Sequence, residues 1–148
     1  MPSELPLEAA ARRFHEYQTD APIDRLAGLI HDDAQMTLFV NRLRPLSGKP
    51  AILSAIGRGR DALLYSARVF RCHLVDERAV AVYGQARYCP DDRSSTIRDV
   101  FWLDEFRDGL LWRVDGFISE RELLDAVARR RGEPSADTAF EHVSGAAT

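Results

Sequence analysis

Apolar positions recur along this chain with two different periods, and the change of period divides it into elements. Leu7, Ala10, Ala11, Phe14 and Tyr17 fall at helical spacing and predict a first amphipathic helix. Asp20-Ala21-Pro22 breaks that pattern. Pro22 suits the first turn of a second helix whose apolar side carries Ile23, Leu26, Ala27 and Ile30, with its end expected near His31-Asp32-Asp33. Residues 35–40 (QMTLFV) read as a first strand. Residues 41–49, which hold Pro45 and Gly48, read as a loop, with Ser47 a candidate cap for a third helix. Residues 50–56 are helical, and Gly57 and Gly59 weaken a continuation through Leu63 and Leu64.

From there the period shortens to that of strands. Residues 67–75 and 79–88 form a hairpin across Asp76-Glu77-Arg78, and 89–95 is a polar loop. The strongest local signals lie in 99–127. Arg107-Asp108-Gly109 sits between two runs of strand formers, and Asp-Gly in that setting marks a tight hairpin whose glycine supplies a positive φ. Apolar residues occupy both parities of this hairpin, so both of its faces are expected to be covered. Ser119-Glu120-Arg121-Glu122 is an S-x-x-E capping box, and Leu123, Leu124 and Val127 give the helix after it a buried side. Helices and strands that run in blocks, without βαβ alternation, indicate an α+β domain. The expected form is a cone: a curved antiparallel or mixed sheet wrapped around three N-terminal helices, with a short C-terminal helix. One domain spans 1–131. Residues 132–148, rich in small and polar side chains, read as a flexible tail in which Phe140 and Val143 are the candidates for docking.

Composition removes several function classes. The 148 residues make one domain, large enough to bury a core and leave room for one pocket. A formal net charge of −3 gives no electrostatic reason for nucleic-acid binding. No apolar run approaches a membrane span or a signal peptide, so the expected location is the cytoplasm. Lys49 is the only lysine among 20 basic residues, as a GC-rich genome would give. Cys72 and Cys89 lack metal-ligand spacing and read as buried free thiols.

The element order, the HDDA before the first strand, the glycine-containing loop before the third helix, and the closing Ser119-x-Arg121-Glu122 helix together resemble the nuclear-transport-factor-2-like superfamily, and most of all its small SnoaL-like members. The resemblance runs from Leu7 to about Arg131 and implies the cone fold and a homodimer. The family includes ketosteroid isomerases, limonene-epoxide hydrolases, polyketide cyclases and dehydratases. Residue by residue, two of these chemistries fail. Aligned through the first helix and strand, Phe14, Leu38 and about Trp102 stand where a ketosteroid isomerase needs its tyrosine, its base and its second oxyanion donor. Gly84, Val82 and Gly116 stand where the hydrolase needs its Asp-Arg-Asp set. Arg113-Val114-Asp115 is displaced from that set by one residue, which turns its side chains to the opposite sheet face.

By the same parity, the pocket should be lined by Leu38, Val40, Val82, Gly84, Ala86, Tyr88, Val100, Trp102, Asp104, Val114, Gly116 and Ile118, with Gly84 and Gly116 leaving space between larger neighbours. Asp104 is the one ionisable member. Its place near the hairpin turn favours the solvated rim of the strand; facing inward, it would be the candidate general acid or base, with Tyr88 or Tyr17 donating a hydroxyl. Tyr17, Leu38, Val82, Gly84, Trp102, Val114, Gly116 and Ile118 are the candidate ligand contacts. His15, next to Phe14, is expected on the solvent side of its helix. His31 beside Asp32 and Asp33 suits a helix end, the face of His73 and Arg71 is open, and Arg129-Arg130-Arg131 reads as solvated charge at a helix end. No metal site and no cofactor are called for. Tyr83, Phe101, Leu103 and Phe117 make an apolar outer face, the expected homodimer surface. Three functions fit: a cofactor-independent isomerase, cyclase, dehydratase or hydrolase acting on a small apolar molecule; a non-catalytic small-molecule-binding or regulatory module; and a dimerisation domain that fills its own cavity.

Overall fold

The structure is a computed structural model, and it describes residues 5–91 and 94–132; most of the expected tail therefore lies outside the described residues. The elements are α1 (Pro6–Asp20), α2 (Ile23–Ala27), β1 (Ile30–Leu38), β2 (Asn41–Ser47), α3 (Lys49–Leu63), β3 (Ser66–Asp76), β4 (Ala79–Asp91), β5 (Ser94–Arg107), β6 (Leu110–Phe117) and α4 (Glu120–Arg130). The strands form one sheet in the order β2-β1-β6-β5-β4-β3. Every pairing is antiparallel except β1 with β6, which is parallel. This is the expected α+β architecture, with the mixed form of the sheet.

The β5–β6 turn forms as its residues dictate. Asp108 and Gly109 have φ of 53° and 76°, the two positive values that a tight hairpin with right-handed strand twist requires. Ser119 caps α4 by accepting from the Glu122 amide at 3.3 Å. Four boundaries differ from expectation. The second helix stops at Ala27, and Ile30, expected on it, opens β1 and pairs with Leu111 of β6. A short apolar run fits either period, and here the vacant edge of β6 decides. Residues 41–47 are a strand rather than a loop, paired along β1; Pro45 is tolerated because β2 is the edge of the sheet. Gly48, not Ser47, caps α3, and α3 continues through Gly57 and Gly59 to Leu63 because its face packs on the core. The expected 89–95 loop is mostly strand, β4 running to Asp91 and β5 starting at Ser94.

Register sorts the side chains into rows across β3, β4, β5 and β6. Cys72, Val82, Trp102 and Gly116 form one row, and Leu74, Val80, Asp104 and Val114 the next; both belong to the inner face, against α1, α2 and α3. Arg71, Tyr83, Phe101 and Phe117, then His73, Ala81, Leu103 and Asp115, belong to the outer face. Arg71 and His73 are therefore outward, with the Arg71 guanidinium 4.1 Å from the Tyr83 ring centre. The outer face is not the open patch expected. Leu103 and Phe117 are buried under Leu123, Ala126 and Val127 of α4, each such side chain contributing about 1.5–3 kcal/mol through burial, while Tyr83 and Phe101 pack at the margin of that cluster.

Arg130 is a tether rather than solvated charge. It donates to Asp76 at 2.7 Å and pairs with Glu105 at 3.0 Å, fixing the end of α4 over the β3–β4 turn. The hydrogen bond from Arg130 holds the Asp76 carboxyl below the ordinary aspartate range. Cys72 and Cys89 are half-buried, not buried, and neither is in a disulfide among the described residues. Among the described residues, no helix is long and apolar enough to cross a membrane.

Candidate functional site

A cavity of about 740 Å³ lies between the β1–β2 end of the sheet and α3. Met36, Leu38, Leu46, Ile56, Trp102 and Val114 supply much of an apolar wall, with Phe39, Val40 and Ala55. Its polar groups are few: Gln18 from the end of α1, Thr37 and Asn41, Tyr65 and Tyr88, and the two arginines Arg44 and Arg58. No aspartate, glutamate, histidine or cysteine is among the described residues that line it. Gln18 is only 7% exposed. Its end of α1 is held by Arg60, which donates to the carbonyls of Tyr17 and Gln18, both at 2.7 Å. Enclosure holds the Tyr65 phenol well above the ordinary tyrosine range, so it meets the cavity as a neutral hydroxyl. The Tyr88 ring packs edge-on against Phe39, 5.9 Å between centres.

Behind one wall of this cavity lies the one pair of wholly buried titratable side chains among the described residues. His15 and Asp104 are both 0% exposed, and His15 Nε2 lies 2.7 Å from Asp104 Oδ2. Trp102 separates the pair from the cavity: it lines the cavity and stacks on the His15 ring, 4.2 Å between centres and 30° between planes. His15 Nδ1 and Asp104 Oδ1 have no hydrogen-bond partner among the described residues. Burial pushes the Asp104 carboxyl above its ordinary value, opposed by the nearby imidazole. With Asp104 protonated, Oδ2–H donates to Nε2 and the pair places no net charge in the core.

That direction fixes a pH dependence. The folded carboxyl binds its proton more tightly than the unfolded one, so between the two pKa values the folded state holds more protons and stability falls as pH rises. Urea denaturation across the acid-to-neutral range should show this contribution present at low pH and lost as pH climbs through the raised value. Asp104→Asn should remove it, so the wild-type-minus-variant difference should fall with pH; a difference that is flat or rises would contradict the assignment.

Several sequence expectations are corrected here, two of them at the buried pair. Asp104 is not at a solvated rim: its row places it inside, beneath α1. His15 is not on the solvent side: Ala11, Phe14, His15 and Gln18 are all buried, because the apolar arc of a packed helix is wide enough to take two adjacent residues. Of the candidate contacts, Leu38, Tyr88, Trp102 and Val114 line the cavity, as does Val40. Val82, Ala86 and Val100 are core residues outside it. Gly84 and Gly116 leave no space. A Cβ on Gly84 would run into the Arg68 carbonyl oxygen and lie 3.1 Å from Trp102 Cζ3; one on Gly116 would lie 3.0 Å from the Phe39 amide nitrogen. Tyr17 is half-buried against the core without lining the cavity, and Ile118 is 47% exposed beyond the end of β6. Arg113 and Asp115 are outside the cavity as expected, Asp115 paired with Arg42 at 3.1 Å. His31, in β1 rather than at a helix end, accepts from the Asp33 amide at 3.0 Å. Among the described residues, no cluster of three metal-ligating side chains is present.

Sheet order and inner helices are those of the nuclear-transport-factor-2-like fold, and the chain has that fold. Solved structures that share it include a protein assigned as a polyketide cyclase from Sinorhizobium meliloti, at a TM-score of 0.62 and 15% identity over 76% of this chain and 99% of that one. An LEH-like epoxide hydrolase from M. tuberculosis superposes at 0.68 with 13% identity, covering 86% of this chain and 93% of that one. TerC, crystallised with polyporic acid, superposes at 0.65 with 13% identity over 83% and 98%. No family model and no curated protein matches the sequence.

Proposed function

We propose that this chain is a SnoaL-like pocket protein that takes up a small, largely apolar molecule. The observation that carries the proposal is the cavity itself: about 740 Å³, walled by apolar and aromatic side chains, with a few convergent hydrogen-bonding groups. A domain that filled its own cone would not leave such a volume. Binding alone needs nothing more than this wall. The homodimer stays part of the proposal only for the outer-face margin around Tyr83 and Phe101 that α4 leaves open.

The test is uptake and its blockage. Ala55 lines the cavity from α3, and Ala55→Trp should fill it. A panel of apolar ligands should raise the melting temperature of the wild type by several degrees, as saturating a site 100-fold over Kd adds about 2.7 kcal/mol. Ala55→Trp should abolish that shift. No shift across the panel, together with no mass retained in native mass spectrometry, would overturn the proposal.

A second reading, a cofactor-independent acid–base enzyme, is favoured by one specific observation: the His15–Asp104 pair lies directly behind Trp102, and each partner keeps one atom unsatisfied. With Trp102 moved aside the pair would border the cavity, where it could carry a proton between two sites on a substrate, with Tyr88 also lining that cavity. In that case Asp104→Asn abolishes turnover while ligand uptake persists.

A further inference from the structure

We infer that the molecule this cavity takes up is an acidic one: an apolar body bearing a single oxyanion head, held at the mouth by Arg44 and Arg58. The inference rests on the uptake function proposed above and names its ligand class. Both arginines line the cavity, and both side chains are exposed, which places their guanidinium groups at the rim rather than in the depth. Among the described residues that line the wall, none is a carboxylate that could neutralise them.

Several arginines elsewhere on the fold have acidic or carbonyl partners. Arg42 pairs with Asp115, Arg71 with Glu120, and Arg130 with Asp76 and Glu105, while Arg60 is spent on the carbonyls at the end of α1. The two at the cavity have no such partner among the described residues. Arg44 has no ion pair or hydrogen bond among the described residues, and Arg58 bonds only the Ser54 hydroxyl, 2.9 Å away and one turn back on α3. In a chain of net charge −3, two cations without acidic partners at the mouth of an apolar cavity make a local field of the opposite sign to the whole.

The position suits an anion energetically. A carboxylate carried into the apolar depth would lose its hydration with nothing to replace it. One left at the rim keeps part of its water and gains the planar, two-donor fork of a guanidinium. Gln18, a residue 7% exposed, also lines the cavity, and its side-chain amide makes no hydrogen bond to a described residue. An amide at an apolar wall gains most from a polar partner, so a carbonyl or hydroxyl on the ligand body is the group that fits there. Head at the arginines, apolar body against Trp102, one polar group at Gln18: these are the ligand's required features.

A matched pair of fluorescent probes tests the charge. N-phenylnaphthylamine is neutral, and anilinonaphthalenesulfonate is the same aromatic skeleton with one oxyanion added. The wild-type protein should bind the sulfonate roughly tenfold more tightly than the neutral amine, and the Arg44→Gln, Arg58→Gln double variant should erase that advantage while changing neutral binding by less than about twofold. Both substitutions are at exposed positions, and an unchanged melting temperature would verify the fold. Equal affinities in the wild type, or a double variant that keeps its preference, would overturn the inference while leaving uptake standing. Sulfonate binding that survives Ala55→Trp lies outside the cavity and would also overturn it. If neither probe binds, this inference is overturned, and the ligand panel with native mass spectrometry decides whether uptake fails with it.

Discussion

Asp104→Ala is expected to lower the unfolding free energy by about 3–4 kcal/mol, a loss of roughly 10 °C in melting temperature for a domain of this size. Two costs add. The substitution leaves His15 with both ring nitrogens unpartnered at 0% exposure, worth about 1–3 kcal/mol, and it opens a hole beneath Trp102 that the stacked ring cannot fill without leaving the cavity wall. Asp104→Asn keeps the shape and can still donate to Nε2, so it should cost about 1 kcal/mol. Equilibrium urea denaturation of the two variants checks both values. An alanine variant no less stable than the asparagine one would mean that the pair contributes nothing to the folded core.

Gly84→Ala is expected to be almost as damaging, at about 3 kcal/mol, the upper end of what one added methyl costs in a packed interior. The reason is backbone, not side chain. Gly84 pairs with Val69, next to the irregularity in register between Val69 and Arg71, and the Arg68 carbonyl leans across the place its Cβ would occupy. A carbonyl in a strand ladder cannot swing away as the tip of a long side chain can, so β3 and β4 must part. The other neighbour is Trp102 Cζ3 at 3.1 Å. The variant should therefore also weaken ligand uptake, and loss of stability with uptake intact would count against Trp102 as part of the working wall.

Much of the fold was legible in the sequence because its signals are local. The Asp108-Gly109 turn, the Ser119 cap and the helical spacing of Leu7, Ala11 and Phe14 are each decided within a few residues, and each formed. The misassigned elements were decided by partners far along the chain. Ile30 fits a helix by its spacing and a strand by its neighbour, and only the pairing with Leu111 separates the two. Residues 41–47 have weak strand character and became β2 because β1 offered an edge.

The site followed the same division. Alternation along β5 placed Trp102 and Asp104 on one face correctly, so the strand half of the site could be read. The helix half could not. His15 sits at the fourth position after Ala11, a spacing that marks it as inward, yet its adjacency to the apolar Phe14 obscured this. Arg44 and Arg58 carry no pattern at all; only the packing of β2 and α3 around one cavity sets them together. Gly84 and Gly116 misled for a related reason, since an absent side chain signals close approach of backbone as readily as open space.

The parallel pairing of β1 with β6 has a consequence for the order in which the protein can be built. Emerging from the ribosome at about 5–20 residues per second, His15 waits roughly 4–18 s for Asp104, which comes 89 positions later. The edge of β1 that β6 will occupy stays bare for a comparable time, until residues 110–117 arrive. Until then β1 and β2 are a two-stranded ribbon with one unsatisfied side, of marginal stability by itself and open to pairing with another nascent chain. The last strand therefore acts as the latch of the whole assembly: a chain cut short before Leu110 would have every inner helix and most of the sheet, and still no closed form to settle into.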